Sequence, residues 1–345
     1  MNVKALIFLL IALPSLAFAQ GFAGLGSDAE GFSLPDPDTR LVFPRDHGAH
    51  PDFRIEWWYM TANLTGSDGQ DYGVQWTLFR SAFAPDSQPG WTNPQFWMGH
   101  AAITTPDHHY STERFARGGI GQADVQADPF LAFIDDWQMR GIQSGDLRAF
   151  GPDFSYDLRF DATGPFVAQG ADGYSVKSAS GQASHYYSQP FYQMQGTLRL
   201  PDGDVSVTGQ GWLDREWSSQ PLSADQTGWD WLSLHFDNGA KMMAFSLRST
   251  DAQPFLFATW ITPQGQATPL DVSTMDLVPL VTTEVQDRAI PTTWQLRLPS
   301  QHLDITIAAL NPQSWMNTSV AYWEGPVQIT GSHPGRGYLE MTGYE

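Results

Sequence analysis

The chain has no cysteine, and only 18 of its 345 residues are lysine or arginine against 37 aspartates and glutamates. The first absence excludes disulfides, thiolate metal sites, a cysteine nucleophile and lipid attachment at a lipobox. The second leaves a formal net charge of −19, which opposes binding to nucleic acid or anionic lipid and points to a neutral or cationic ligand. Long apolar runs are also missing beyond the N-terminal segment, so no later stretch has the roughly 20 consecutive apolar residues of a membrane-spanning helix. Sustained helical periodicity, a G-x-S-x-G nucleophile elbow and a phosphate-binding loop are absent too.

What the chain does have begins with MNVKALIFLLIALPSLAFAQ, where Lys4 precedes an apolar run ending in small residues at Ala17 and Ala19. This pattern reads as an export signal over residues 1–19, with the mature protein beginning near Gln20 and destined for the periplasm or for secretion. After cleavage no transmembrane segment is expected. Aromatics reach 13% with 14 tryptophans, while charged residues stay at 16%, an excess of large apolar surface suited to lining a pocket for an apolar small molecule.

The local pattern is strand-like. In DYGVQWTLF, Tyr72, Val74, Trp76 and Leu78 share one face, and in HLDITIAAL Leu303, Ile305 and Ile307 do the same, the period of two of a half-buried strand. GSDGQD at 66–71, LPDGDV at 200–205, FDNGAK at 236–241 and TPQGQA at 262–267 supply turn chemistry between such runs. The expectation is an all-β protein of closed or sandwiched antiparallel sheets. Its mature length of about 325 residues exceeds a usual single core and favours two domains. SSQPLSADQTG, residues 218–228, is the best boundary by composition, with 20–219 as the first domain and 220–345 as the second.

Carboxylates recur beside indoles. In RIEWWYM, Glu56 and Trp58 occupy one face of a strand and Trp57 and Tyr59 the other; in GWLDREWSS, Trp212, Asp214 and Glu216 oppose Arg215; in GWDWLSLHF, Trp229 and Trp231 oppose Asp230; AYWEG adds Trp323 and Glu324. Two readings compete. Each acid is paired, Glu56 with Arg54 or Arg215 for instance, or aromatic walls desolvate an acid and make it a proton donor. Histidines at 47, 50, 100, 108 and 109 are residue types of a metal centre with Glu56 as a further ligand, but neither spacing matches H-E-x-x-H, and ordinary loop histidines are the competing reading, so no metal is assigned.

The stretches HPDFRIEWWYMTANL, FWMGHAAI, HYYSQPFYQMQGTL, GQGWLDREWSSQPL, GWDWLSLHFDNGAKMMAFSLR and YWEGPVQITGSHPGRGYLEMTGY occur in order over about residues 41–345, and together they resemble the hydroxyneurosporene synthase family, also called carotenoid 1,2-hydratase or AttH-like proteins. The resemblance implies two consecutive lipocalin-like antiparallel β-barrel domains, the first ending near DREWSS. It also implies cofactor-independent, acid-catalysed water addition to an isoprenoid or lipid double bond. Exported relatives are described as predicted secreted hydrolases or as partners of an ABC-type export system, so a glycosidase-type acid pair and a noncatalytic binder stand as alternatives. On motif position, Asp214 is the expected proton donor and Glu216 the water-orienting group, with Glu56 as a third acid. His50, Trp57, Trp58, Tyr59, His100, Trp212, Trp229, Asp230, Trp231, Trp323 and Glu324 are the expected ligand contacts.

Overall fold

A computed structural model describes residue 25 and residues 29–85, 88–250 and 252–344; the expected export signal lies outside these. Among the described residues helix is limited to short 3-10 turns such as Arg45–His47 and Gly90–Thr92, and no helix is long and apolar enough to cross a membrane. Everything else of regular structure is antiparallel strand, in a thirteen-stranded sheet and a ten-stranded sheet, each curled toward a barrel.

The four turn segments named above all close hairpins. Asp71–Ala82 returns against Ile55–Gly66, and Lys241–Ser249 against Gln226–Phe236; at these turns Gly69 and Gly239 take φ of 82° and 87°, a region costly for other residues. The last strand of the first sheet, Gly203–Ser218, closes back on Ile55–Gly66, and the second sheet starts at Gln226.

Each sheet wraps its own core. Inside the first lie Trp58, Met60, Trp76, Leu78, Trp137 and Tyr156; inside the second lie Leu232, Leu234, Leu296, Ile305 and Trp323. Trp58, Trp76, Trp137 and Trp323 occupy the interiors. A third cluster, with Tyr59, Tyr186, Trp212, Trp231, Phe245 and Tyr338, joins the outer faces of the two sheets. The interval at 218–228 belongs to this seam. Ser219 is fully buried and Leu222 nearly so, Leu222 being an apolar side chain sheltered in the seam; most of the segment is docked, and Ala224, Asp225 and Thr227 are its exposed residues.

Candidate functional site

Strand alternation builds the site from outward-facing residues. Trp57 sits opposite Glu216 on one neighbouring strand and Phe79 on the other, and Tyr59 opposite Asp214 and Thr77. In the second sheet Trp229 faces Leu247, and Trp231 lies between Phe245 and Glu340. Cross-strand partners share a face, so these eleven side chains converge between the sheets around a cavity of about 120 Å³, and Tyr186, Lys177 and Leu222 also line it.

The acids in this wall are in different states. Asp214 is buried among aromatic groups and accepts hydrogen bonds from Ser188 Oγ and, at 3.0 Å, from Trp212 Nε1, while its second oxygen has no partner among the described residues. Burial pushes its pKa up to about 7 despite those hydrogen bonds. Glu340 behaves alike: burial raises it to about 7 although Trp229 Nε1 donates to it at 2.6 Å. Glu216 is instead tied to Lys177 Nζ at 2.8 Å, and that ammonium also rests over Phe245 and Tyr186. The site thus pairs two acids that can hold a proton at neutral pH with one fixed carboxylate.

Six of the residues expected from the sequence line the cavity: Asp214, Glu216, Trp57, Tyr59, Trp229 and Trp231. Trp212, Glu324 and His100 stand behind it. Glu324 accepts a 2.6 Å hydrogen bond from Tyr59, and His100 Nδ1 lies 2.8 Å from the Tyr322 hydroxyl.

Glu56, Trp58 and His50 belong to the opposite face. Glu56 is fully buried and bonded to Arg80 and Arg215, with the His50 backbone N–H donating at 2.9 Å. Burial alone would raise its pKa, but the two guanidinium charges outweigh it and hold the carboxyl well below its usual range. Arg215 is stacked 3.9 Å from the Trp58 ring, and His50 lies flat on Trp217 at 4.0 Å. The arginine-paired reading of Glu56 is the one that matches this geometry, and the residue is remote from the cavity because it sits one position out of phase with Trp57. Asp230 pairs with Arg248 and Tyr344, and Trp323 fills the second core. Among the described residues no three His, Asp or Glu side chains are grouped to hold a metal ion.

Sequence reasoning missed Glu340, Lys177, Tyr186 and Ser188. For Glu340 a signal existed: Glu324 and Glu340 lie at equal distances in sequence from Ser332 in the hairpin turn, and the register places them directly opposite each other.

Two curled antiparallel sheets with a cavity at their seam define a tandem lipocalin-like protein. The chain belongs to the AttH-like family, whose model matches residues 34–344. It is similar to the crystal structure of a protein described as AttH from Nitrosomonas europaea, with 30% identity, a TM-score of 0.80, and coverage of 91% of this chain and 100% of that one. It also shares its fold with kievitone hydratase from Nectria haematococca, at 15% identity and a TM-score of 0.65, covering 90% of this chain and 98% of that one. No curated protein sequence matches it.

Proposed function

We propose that the protein binds an apolar alkene, isoprenoid or lipid in character, in the seam cavity and adds water to it by acid catalysis. The observation that carries this reading is Asp214, a buried carboxyl whose pKa burial raises to about 7, set in an aromatic wall beside the Tyr186 hydroxyl. The hydratase among its fold relatives is consistent with it.

In this mechanism the alkene π pair takes the Asp214 proton, forming a C–H bond and a carbocation. The faces of Trp57, Trp229 and Trp231 are placed to stabilise that cation. A water then forms the C–O bond and gives its proton to the ionised fraction of Glu340, which takes the water-orienting role expected of Glu216. Lys177 holds Glu216 in an ion pair at the cavity wall, which leaves Glu216 with no separate part in the proton transfers.

Incubation of the purified protein with isoprenoid and prenylated alkenes in ¹⁸O-labelled water tests this. A product carrying one added labelled water is expected, and Asp214→Asn should lower its formation by about 10²–10⁴-fold while ligand binding persists. Binding without turnover in any of these compounds would assign a noncatalytic role, as carrier or as partner of an ABC-type export system. Saturable binding of oligosaccharides alone would favour the secreted-hydrolase reading. We also propose export through the N-terminal signal; the protein should then be found in the periplasmic or extracellular fraction, shortened by about 19 residues.

A further inference from the structure

Behind the cavity wall runs a chain of buried polar groups that binding of an apolar ligand does not require. Register places Asp214, Tyr59, Thr77, His100 and Glu113 in one row across five strands, all on the outer face of the first sheet. Such a row advances about 4.8 Å per strand. The second sheet docks Tyr322, Glu324 and Glu340 onto this row.

Two of the links are hydrogen bonds, and the others are close approaches. Glu340, on the cavity, is an electrostatic neighbour of Tyr59. Tyr59 donates to Glu324 Oε1 at 2.6 Å. Glu324 is fully enclosed, its Oε2 has no hydrogen-bond partner among the described residues, and Tyr322 is its neighbour on the far side; the Tyr322 hydroxyl lies 2.8 Å from His100 Nδ1. His100 Nε2 is buried without a hydrogen-bond partner among the described residues, and it stands 3.9 Å from Glu113 Oε2. Glu113 is the end that meets water: its side chain is 26% exposed, and Ser319 holds it from N–H and hydroxyl at 3.0 and 3.1 Å. With His100 protonated on Nε2 and Glu324 on Oε2, side-chain movements that close the 3.9 Å gap to Glu113 and the Glu324–Tyr322 approach let each group donate in one direction, from Glu340 outward to Glu113.

We propose that Glu340, Tyr59, Glu324, Tyr322, His100 and Glu113 form a proton relay joining the seam cavity to the surface at the rear of the site. The purpose of the relay rests on the hydration reading. Each turnover leaves Asp214 without its proton and Glu340 with one taken from water, and an apolar ligand or product filling the cavity blocks exchange with solvent at the front. Passage of the Glu340 proton to Tyr59, with the Tyr59 proton moving to Glu324 and so on to Glu113, returns Glu340 to its basic form while the cavity is still filled; Asp214 takes up a proton from solvent when the product leaves, so the cycle closes with no net proton consumed. One proton enters at Glu340 and one leaves at Glu113, and no bond other than O–H and N–H is changed.

The test needs no substrate, so its failure is separable from failure of the hydration reading. The carbonyl stretch of protonated Glu324, assigned as the infrared band lost in Glu324→Gln, is followed after transfer of the full-length protein into D₂O. Tyr59→Phe cuts Glu324 off from the cavity, and its band should still shift rapidly, through the rear. Adding Tyr322→Phe should slow that shift by about tenfold or more, as a buried acid loses its hydrogen-bonded path to water. Should the double variant not fold by circular dichroism, Tyr59→Phe with Glu113→Gln, cut at the surface end, should show the same slowing. Slow exchange already in Tyr59→Phe, an unslowed double variant, or absence of a protonated Glu324 band at neutral pH overturns the relay.

Discussion

Glu56 and Asp214 are both buried carboxyls beside indoles, yet two arginines bond one and none bonds the other. The consequences for stability have opposite sign. Glu56→Gln leaves Arg80 and Arg215 buried without their shared anion and should cost about 3–5 kcal/mol, read as a lowered urea midpoint at neutral pH. Because the folded pKa of Glu56 lies below its unfolded value, its contribution is present above about pH 4.3 and is lost as pH falls through the folded value. Asp214 is the reverse: with a folded pKa of about 7, it favours folding fully below its unfolded value and loses that contribution as pH rises through 7. Thermal melts of Asp214→Asn should therefore lack part of the wild-type decline in stability between about pH 4 and pH 7. Glu340→Gln should flatten the same window, since burial lifts that carboxyl to about 7 as well.

At the scale of the strand, the seam depends on close approach. A Cβ at Gly73 would come within 2.5 Å of Pro326 Cδ and 3.0 Å of the Tyr338 hydroxyl, both on the other sheet. Gly73→Ala should consequently strain the docking by about 1–3 kcal/mol, and it should expose the 218–228 segment to proteases that the wild-type protein resists. The strands themselves were legible in the sequence. Alternation put Tyr72, Val74, Trp76 and Leu78 in one core and Leu303, Ile305 and Ile307 in the other, as found, and it separated Glu56 from Trp57. Which face met a cavity was not legible, because period two is symmetric: a tryptophan inside a sheet and a tryptophan between sheets leave the same pattern. Composition made 218–228 resemble a linker, since its single Leu222 carries too little signal against seven polar neighbours to announce burial. Lys177 had no pattern at all to mark it.

For the whole molecule, the decisive fact is that the cavity belongs to neither sheet alone. Trp57, Tyr59, Asp214 and Tyr186 come from the first, and Trp229, Trp231, Phe245 and Glu340 from the second. Titration with long isoprenoids or acyl compounds should change tryptophan fluorescence and raise the melting temperature of the intact chain, whereas fragments 20–219 and 220–345 should each fail to bind. The same construction separates two kinds of mutational tolerance by the parity of the residue number. Along Ile55–Gly66, the even positions 56, 58 and 60 hold the interior, while the odd positions 57 and 59 face the seam. Selection can therefore rewrite odd positions to suit a new ligand while the even ones keep the strand folded. A family built this way can diverge in chemistry without first loosening its cores.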